Sequence, residues 1–301
     1  MKIYVCPCAE KEKSMTLLPS VTAALAKYGI EPVMSDALRP VYDDERVTYR
    51  EASPHNSNLL KDMLSCDMIM TVGGDGMMLK LSKAATIYGI PLIGINTGRL
   101  GFMTTIDADE LDKLSALADG TYSISRRMLL DMTDIVVDEK TDGEKTETVF
   151  YHQYALNDVV LFKDVNSKLP EFTVKVNGEV VTKIRADGLI FSTPTGSTAY
   201  ALSAGGPIIE PTVECIQMTP LCPHSLMNRP MIFGGNDRIT ASYTPYEGSR
   251  VNISTDGGES CELPHDREIT IFKCDRHLDI VQIGGRSFYR TVSEKLMTTL
   301  K

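Results

Sequence analysis

The stretch that most restricts the fold is "DMIMTVGGDGMMLKLSKAATIYGIPLIGINTG" at residues 67–98. "MIMTV" is a short apolar run closed by glycines, the pattern of a buried strand. Met78, Leu81, Ala85 and Tyr88 then recur at three- and four-residue steps, which places them on one face of a helix. "GIPLIGINTG" (89–98) supplies a second short apolar run with a glycine exit. Strand, helix and strand joined by tight glycine turns imply a parallel pair with a helical crossover. "MKIYVCP" reads as an earlier strand, followed by a helix from about Lys13 to Tyr28. Residues 1–121 are therefore expected to form an α/β domain with a parallel sheet, Rossmann-like and doubly wound.

Past Ser123 the pattern changes. "MLLDMTDIVVDEKTDGEKTETVFYHQYALNDVVLF" alternates strand-like runs around an "EKTDGEK" turn. "FTVKVNGEVVTKI" (172–184) sets Asn-Gly between two β-rich arms, a strong hairpin signal. "RITASY", "VNIST", "EITIF" and "LDIVQI" continue as strands. We expect residues 122–280 to form a β-rich domain that binds the substrate. Residues 281–301 are expected to be a helical C-terminal segment, whose docking site the sequence does not disclose.

Composition limits the partners. The net charge of −9 argues against nucleic acid and anionic membranes. It does not argue against small anions, which backbone N–H groups can hold on an acidic protein. No apolar run reaches the length of a membrane span and no secretory leader is evident, so the expectation is a cytoplasmic protein. The seven cysteines include no CxxC pair and read as reduced thiols. The five histidines lack metal-site spacing, and the fifteen methionines read as core filler. The charged run "YDDERVTYREAS" reads as a solvated loop.

Four stretches carry chemistry. In "GGDG", Gly73, Gly74 and Gly76 lack Cβ atoms, so they can take positive φ or let a ligand approach the backbone. The helix behind them points its N–H groups at the turn, with Asp75 either facing the ligand or capping its own helix. "NTGRLGFM" (96–103) leaves the next strand on the same rim. "ALNDVVLF" (155–162) sets Asn157 and Asp158 at the start of an apolar strand, an amide and a carboxylate suited to ribose hydroxyls or to a turn. "RADGLIFSTPTGSTAYALSAGGPII" (185–209) runs from a strand into a loop of small hydroxyl residues and a short helix from Thr198. The dinucleotide fingerprint G-x-G-x-x-G, the P-loop and the protein-kinase signatures are all absent from these stretches.

In that order and at those intervals, the four stretches resemble the NAD kinases, from about residue 67 to about residue 260. GGDG alone is less specific, since diacylglycerol kinases, sphingosine kinases and phosphofructokinases carry similar turns. The resemblance implies transfer of the γ-phosphoryl of ATP, or in some members of polyphosphate, to the 2′-hydroxyl of the adenosine ribose of NAD. It implies Asp75 as general base, or as a ligand of the Mg²⁺ that accompanies ATP, with Gly74 and Gly76 beside the phosphates. It implies that Asn157 and Asp158 contact the ribose, where many bacterial members have Glu at the second place. Thr198, Ala199, Tyr200, Ala201, Leu202 and Ser203 would line the adenine pocket. Arg185 and Asp187 match residues that line the site across a subunit interface, which implies a homotetramer or homodimer. Asp256-Gly257-Gly258 stands where relatives have Asp-Gly-Gln, and Phe102 is read as packing. A lipid kinase sharing GGDG and a non-catalytic NAD(P) sensor remain as alternatives.

Overall fold

The computed structural model describes residues 1–50, 63–99, 101–139, 145–225, 227–246, 248–265, 267–285 and 287–297. The centre of the expected "EKTDGEK" turn and the end of the charged run at 42–53 lie outside these residues. The chain divides into two compact units: Met1–Arg126 with His277–Lys301, and Arg127–Arg276.

The first unit contains β1 (Lys2–Pro7), α1 (Glu12–Lys27), β2 (Glu31–Ser35), β3 (Thr48–Arg50), β4 (Met68–Gly73), α2 (Asp75–Tyr88), β5 (Leu92–Asn96) and β6 (Ile106–Asp107). The strands pair in the order β3-β2-β1-β4-β5, all parallel. Every residue of β4 and β5 is buried, as a sheet covered on both faces requires. Leu18, Val21 and Leu25 of α1 enter one core with Ile3, Val5, Met70 and Ile93. Met78, Leu81 and Ala85 of α2 are buried, whereas Tyr88 in its last turn is 36% exposed. Strand order runs from β1 outward through β2 and β3, then resumes at β4 on the other side of β1. The carboxyl ends of β1 and β4 therefore flank the point where the winding reverses, which is where open α/β sheets hold ligands.

The second unit begins in β7 (Ser123–Glu139), which pairs with β8 (Lys145–Ala155). It continues through β9 (Asp158–Lys163), β10 (Glu171–Val176), β11 (Glu179–Arg185), β12 (Gly188–Ser192), β13 (Cys215–Leu221), β14 (Met231–Gly234), β15 (Ile239–Thr244), β16 (Val251–Thr255), β17 (Cys261–Leu263) and β18 (Ile269–Gln282). β14-β13-β12-β9-β16-β17 form one antiparallel sheet. Phe172, Phe191, Ile216, Met218 and Ile253 share the core of the unit. The β10–β11 hairpin turns at Asn177 and Gly178, with φ of 51° and 90°. Both values are positive, which is what the preferred two-residue hairpin turn demands and Asn-Gly supplies.

"EITIF" and "LDIVQI", expected as separate strands, are one 14-residue strand, β18. The connecting "KCDRH" holds no Gly, Pro or Asn to turn the chain. The last residues of β18 belong to the first unit, where Ile280 lies opposite Leu92. The end of the chain then forms a short helix, Phe288–Val292, and one π-helical turn, Ser293–Met297. Among the described residues, no helix is long and apolar enough to cross a membrane.

Candidate active site

A cleft of about 510 Å³ opens in the first unit beyond the carboxyl ends of β1, β4 and β5. Its lining includes Lys11 and Glu12 at the start of α1, Gly74 at the start of α2, and Thr97 and Arg99 after β5, together with Lys13. Two helix N-termini and three cationic side chains thus border one space, an arrangement suited to phosphate groups. The rim after β5 is fixed locally. Thr97 N–H donates to Gly73 O (3.0 Å), and Gly98 N–H donates to Asn96 Oδ1 (3.1 Å). Asn96 Nδ2 in turn donates to Asp107 (3.0 Å).

The GGDG turn departs from expectation in its backbone. None of Gly73, Gly74 and Gly76 has a positive φ; Gly74 is extended at −116° and is the N-cap of α2. A Cβ at Gly74 or Gly76 would meet no protein atom within 4 Å. These glycines therefore leave bare backbone before open space and do not permit a strained turn.

Asp75, the first residue of α2, does not cap its own helix. Its carboxylate reaches the loop after Gly101. Oδ2 accepts from Phe102 N–H (2.7 Å), and Oδ1 accepts from Met103 N–H (3.0 Å) and Thr104 N–H (3.2 Å). A carboxylate has about four acceptor positions, so these three bonds leave one, on Oδ2. Gly101 makes the approach feasible: a Cβ there would lie 2.1 Å from Asp75 Oδ1.

The second unit repeats the device. Asp256 takes the left-handed conformation, φ 53°, and its carboxylate accepts from the N–H groups of Leu156 (2.8 Å), Asn157 (2.7 Å) and Asp158 (3.1 Å). Thr193 Oγ1 donates to Leu156 O (2.5 Å) and accepts from Gly196 N–H (3.0 Å). Thr193 N–H donates to Asn157 O (2.9 Å), and a Cβ at Gly196 would strike that oxygen at 2.1 Å. The Asn157-Asp158 bend and the hydroxyl-rich loop are therefore a single assembly. Neither Asn157 nor Asp158 hydrogen-bonds through its side chain to another described residue, so both retain capacity for a ligand.

Asp158 is 5% exposed, and its carboxyl is pushed up to about 7, first by burial and then by the neighbouring Asp256 carboxylate. Below about pH 4 the folded and unfolded chains both hold this proton. Between about 4 and about 7 the unfolded chain releases it while the native chain keeps it, so stability falls with rising pH, and the loss is complete above the folded value. Asp158→Asn removes this cost. It is expected to raise the ligand-free unfolding free energy at pH 8 by about 2 kcal/mol and to flatten its fall between pH 4 and 7. Urea midpoints across that range check this, and an unchanged slope would show that Asp158 ionises normally.

The remaining sequence-derived residues fall into two places. Ala201 is buried against Val160 and Ile190, while the Tyr200 ring is 49% exposed beside it. Thr198 and Ala199 lie in the turn before the short helix Tyr200–Ser203, which also holds Leu202. These residues, with Asn157 and Asp158, stand at the carboxyl end of β12. Arg185 and Asp187 stand before its amino end, Asp187 five residues from Ser192, about 16 Å along an extended strand. There Arg185 lies 5.1 Å from the Tyr246 ring centre, and Asp187 pairs with Lys163 at 3.7 Å. The unit thus does not bring Arg185 and Asp187 to the Asn157 end.

Sequence reasoning passed over Gly101, Lys11, Lys13 and Arg99, and weighed Asp256 only for the glutamine missing after it. Gly101 and Arg99 both stand inside the NTGRLGFM motif, whereas Lys11 and Lys13 had no signal beyond position near a strand end. None of the seven cysteines forms a disulfide. No cluster of three or more His, Cys, Asp or Glu fit to hold a metal occurs among the described residues.

Two helix N-termini at a winding reversal, that of α2 bared by Gly74 and Gly76, with Lys11, Lys13 and Arg99 beside them, suit a phosphate-bearing ligand on a protein of α/β plus β build. Comparison with known proteins gives the family. Residues 11–122 match the ATP-NAD kinase N-terminal domain and residues 156–283 the ATP-NAD kinase C-terminal domain. An NAD kinase of Nitrosomonas europaea is 38% identical over 231 residues, 76% of this chain and 74% of that protein. One of Caldanaerobacter subterraneus is 32% identical over 98% of both chains. The fold matches yeast NADH kinase, solved with NADH, with a TM-score of 0.78 at 23% identity, over 99% of this chain and 87% of that one. It also matches an Archaeoglobus fulgidus NAD kinase, solved with ATP, with a TM-score of 0.70 at 23% identity, over 99% of both. The chain belongs to the NAD kinase family and is a kinase that phosphorylates NAD with ATP.

Proposed function

We propose that Asp75 is the base that takes the proton from the 2′-hydroxyl of the adenosine ribose of NAD as that oxygen attacks the γ-phosphorus of ATP. The bond from γ-phosphorus to the bridging oxygen breaks, ADP leaves, and NADP is formed. The observation that carries this reading is the single acceptor position left on Asp75 Oδ2, at a helix N-terminus bared by Gly74 and Gly76. The same amides that fill the other positions fix the carboxylate's direction, which a base needs.

The triphosphate of ATP is assigned to the cleft bordered by Lys11, Lys13 and Arg99. Mg²⁺ fits as an ion carried by the phosphates and water, since the described residues offer it no cage of their own. It would neutralise phosphate charge. With one free position, Asp75 can serve the hydroxyl or the metal directly, but not both together, and the base role is the one assigned. Asn157 and Asp158, with unspent hydrogen-bonding capacity, are assigned to ribose hydroxyls, and the exposed Tyr200 ring to the adenine face. The distance of Arg185 and Asp187 from that group supports their acting on the nucleotide of a second copy, and hence a homodimer or homotetramer.

Incubation with Mg²⁺, NAD and either ATP or polyphosphate, read by an NADP-specific dehydrogenase, tests the reaction. NADP is expected with ATP and Mg²⁺ and is expected to vanish with a chelator. A rate indifferent to chelator would remove the metal, and activity with polyphosphate would widen the donor.

A further inference from the structure

Asp75 does not hold its direction alone; the loop that holds it is held in turn by the end of the chain. The loop has two fixed points. At Thr105, the side-chain hydroxyl donates to Val281 O in the last stretch of β18 (2.8 Å), and Met103, Thr104 and Thr105 are all buried. At Phe102, whose N–H makes the shortest of the three bonds to Asp75, the ring is only half-buried. Its partners come from the C-terminal segment: the Phe288 ring centre lies 6.2 Å away, tilted by 46°, and Lys295 Nζ lies 4.1 Å from the Phe102 ring centre. Both contacts are at attractive ring–ring and cation–ring separations. Gly101, on the other side of Phe102, has no side chain with which to brace the loop, because it must lie flush against Asp75.

We infer that Phe288 and Lys295 are positioning residues for catalysis: by clamping the Phe102 ring they set the amide that aims Asp75 Oδ2. The inference rests on the reading of Asp75 as base. Phe102 is thus more than packing, since its backbone restrains the carboxylate and its ring is the handle by which the C-terminus restrains the backbone. A carboxylate displaced by a fraction of an ångström leaves NAD binding intact but loses the line of the hydroxyl proton.

The test uses full-length Phe288→Ala, Phe288→Tyr, Lys295→Ala and Lys295→Arg, each alone and combined with Asp75→Asn. Phe288→Ala and Lys295→Ala are expected to lower kcat by about 10- to 100-fold with the KM for NAD changed less than about threefold. Phe288→Tyr and Lys295→Arg keep the ring and the charge and are expected to restore most of the rate. In the Asp75→Asn background, the same alanine changes should alter residual kcat by less than about twofold, because the group they aim is gone. Amide hydrogen exchange at Phe102 should accelerate in Phe288→Ala, while that of Val72 in β4 stays as it was. An unchanged kcat and Phe102 exchange rate in both alanine variants overturns the inference, and so does an equal fold-loss of kcat in the Asp75 and Asp75→Asn backgrounds. Full turnover by Asp75→Asn alone is a different result: it removes the base reading itself, and this inference with it.

Discussion

Asp75→Asn is expected to lower NAD phosphorylation by about three orders of magnitude while leaving NAD affinity within a few-fold of normal. The amide is isosteric with the carboxylate but cannot take a proton from a hydroxyl at neutral pH. Its effect on the structure follows from which oxygen does what. Oδ1 serves two amides, Met103 and Thr104, so the carbonyl of asparagine keeps that side. The NH₂ group then faces Phe102 N–H, a donor against a donor at what was 2.7 Å. Loss of that bond is expected to cost about 1–3 kcal/mol of stability. The unfolding midpoint must therefore be measured beside kcat, and NAD binding by calorimetry beside both. A variant that is modestly less stable, binds NAD and turns over about 1000-fold more slowly has lost its base. Undiminished turnover leaves Asp75 as a bracket for the 102–104 loop and no more. Proportionate loss of binding and rate would mark it as a ground-state contact.

The architecture was legible in the sequence where local rules decide it. "MIMTV", the Met78–Leu81–Ala85 face and "LIGIN" gave the parallel unit because burial on both faces leaves continuous apolar runs. Asn177-Gly178 gave its hairpin because few other pairs tolerate two positive φ values. What escaped was set by partners distant in sequence. The bond from Phe102 to Asp75 spans 27 residues, and those from Leu156, Asn157 and Asp158 to Asp256 span 98 to 100. No periodicity marks such pairs. The return of β18 to the first unit escaped for the same reason, since "LDIVQI" looks like any other strand until its neighbour Leu92 is known.

The glycines show how a motif can be recognised for a reason that proves incomplete. Gly74 and Gly76 are free of backbone strain, and their value is the empty space before the α2 N-terminus. Gly101 and Gly196 are among the positions where a Cβ would collide, here with Asp75 and with Asn157. In each unit an aspartate gathers three consecutive N–H groups, and a glycine allows a close approach beside the same residues. The net charge of −9 is compatible with binding polyanions because three cations, Lys11, Lys13 and Arg99, line one cleft.

Asp256→Ala is expected to destabilise the second unit strongly, by about 3–5 kcal/mol, and to weaken NAD binding by about 100-fold or more. Three amide donors lose their acceptor at once, and Leu156 is fully buried, so water cannot replace the carboxylate there without opening the strand end. Alanine must also hold a φ of 53°, which costs roughly 1 kcal/mol more than for an aspartate or asparagine. One effect runs the other way. The Asp256 charge is the second cause of the raised Asp158 carboxyl, so its removal lets Asp158 ionise at lower pH and narrows the range over which stability falls. Asp256→Asn separates these contributions. It tolerates the left-handed conformation, keeps an oxygen for the Asn157 and Asp158 amides that share Oδ1, and removes the charge. It should recover about half the lost stability while retaining the shifted pH dependence. Urea unfolding of both variants from pH 4 to 8, with NAD affinity measured at pH 8, gives the comparison. Wild-type midpoints and affinity in Asp256→Ala would mean that the Asn157-Asp158 bend keeps its shape by other means. The missing glutamine two residues later would then be the more telling feature of that turn.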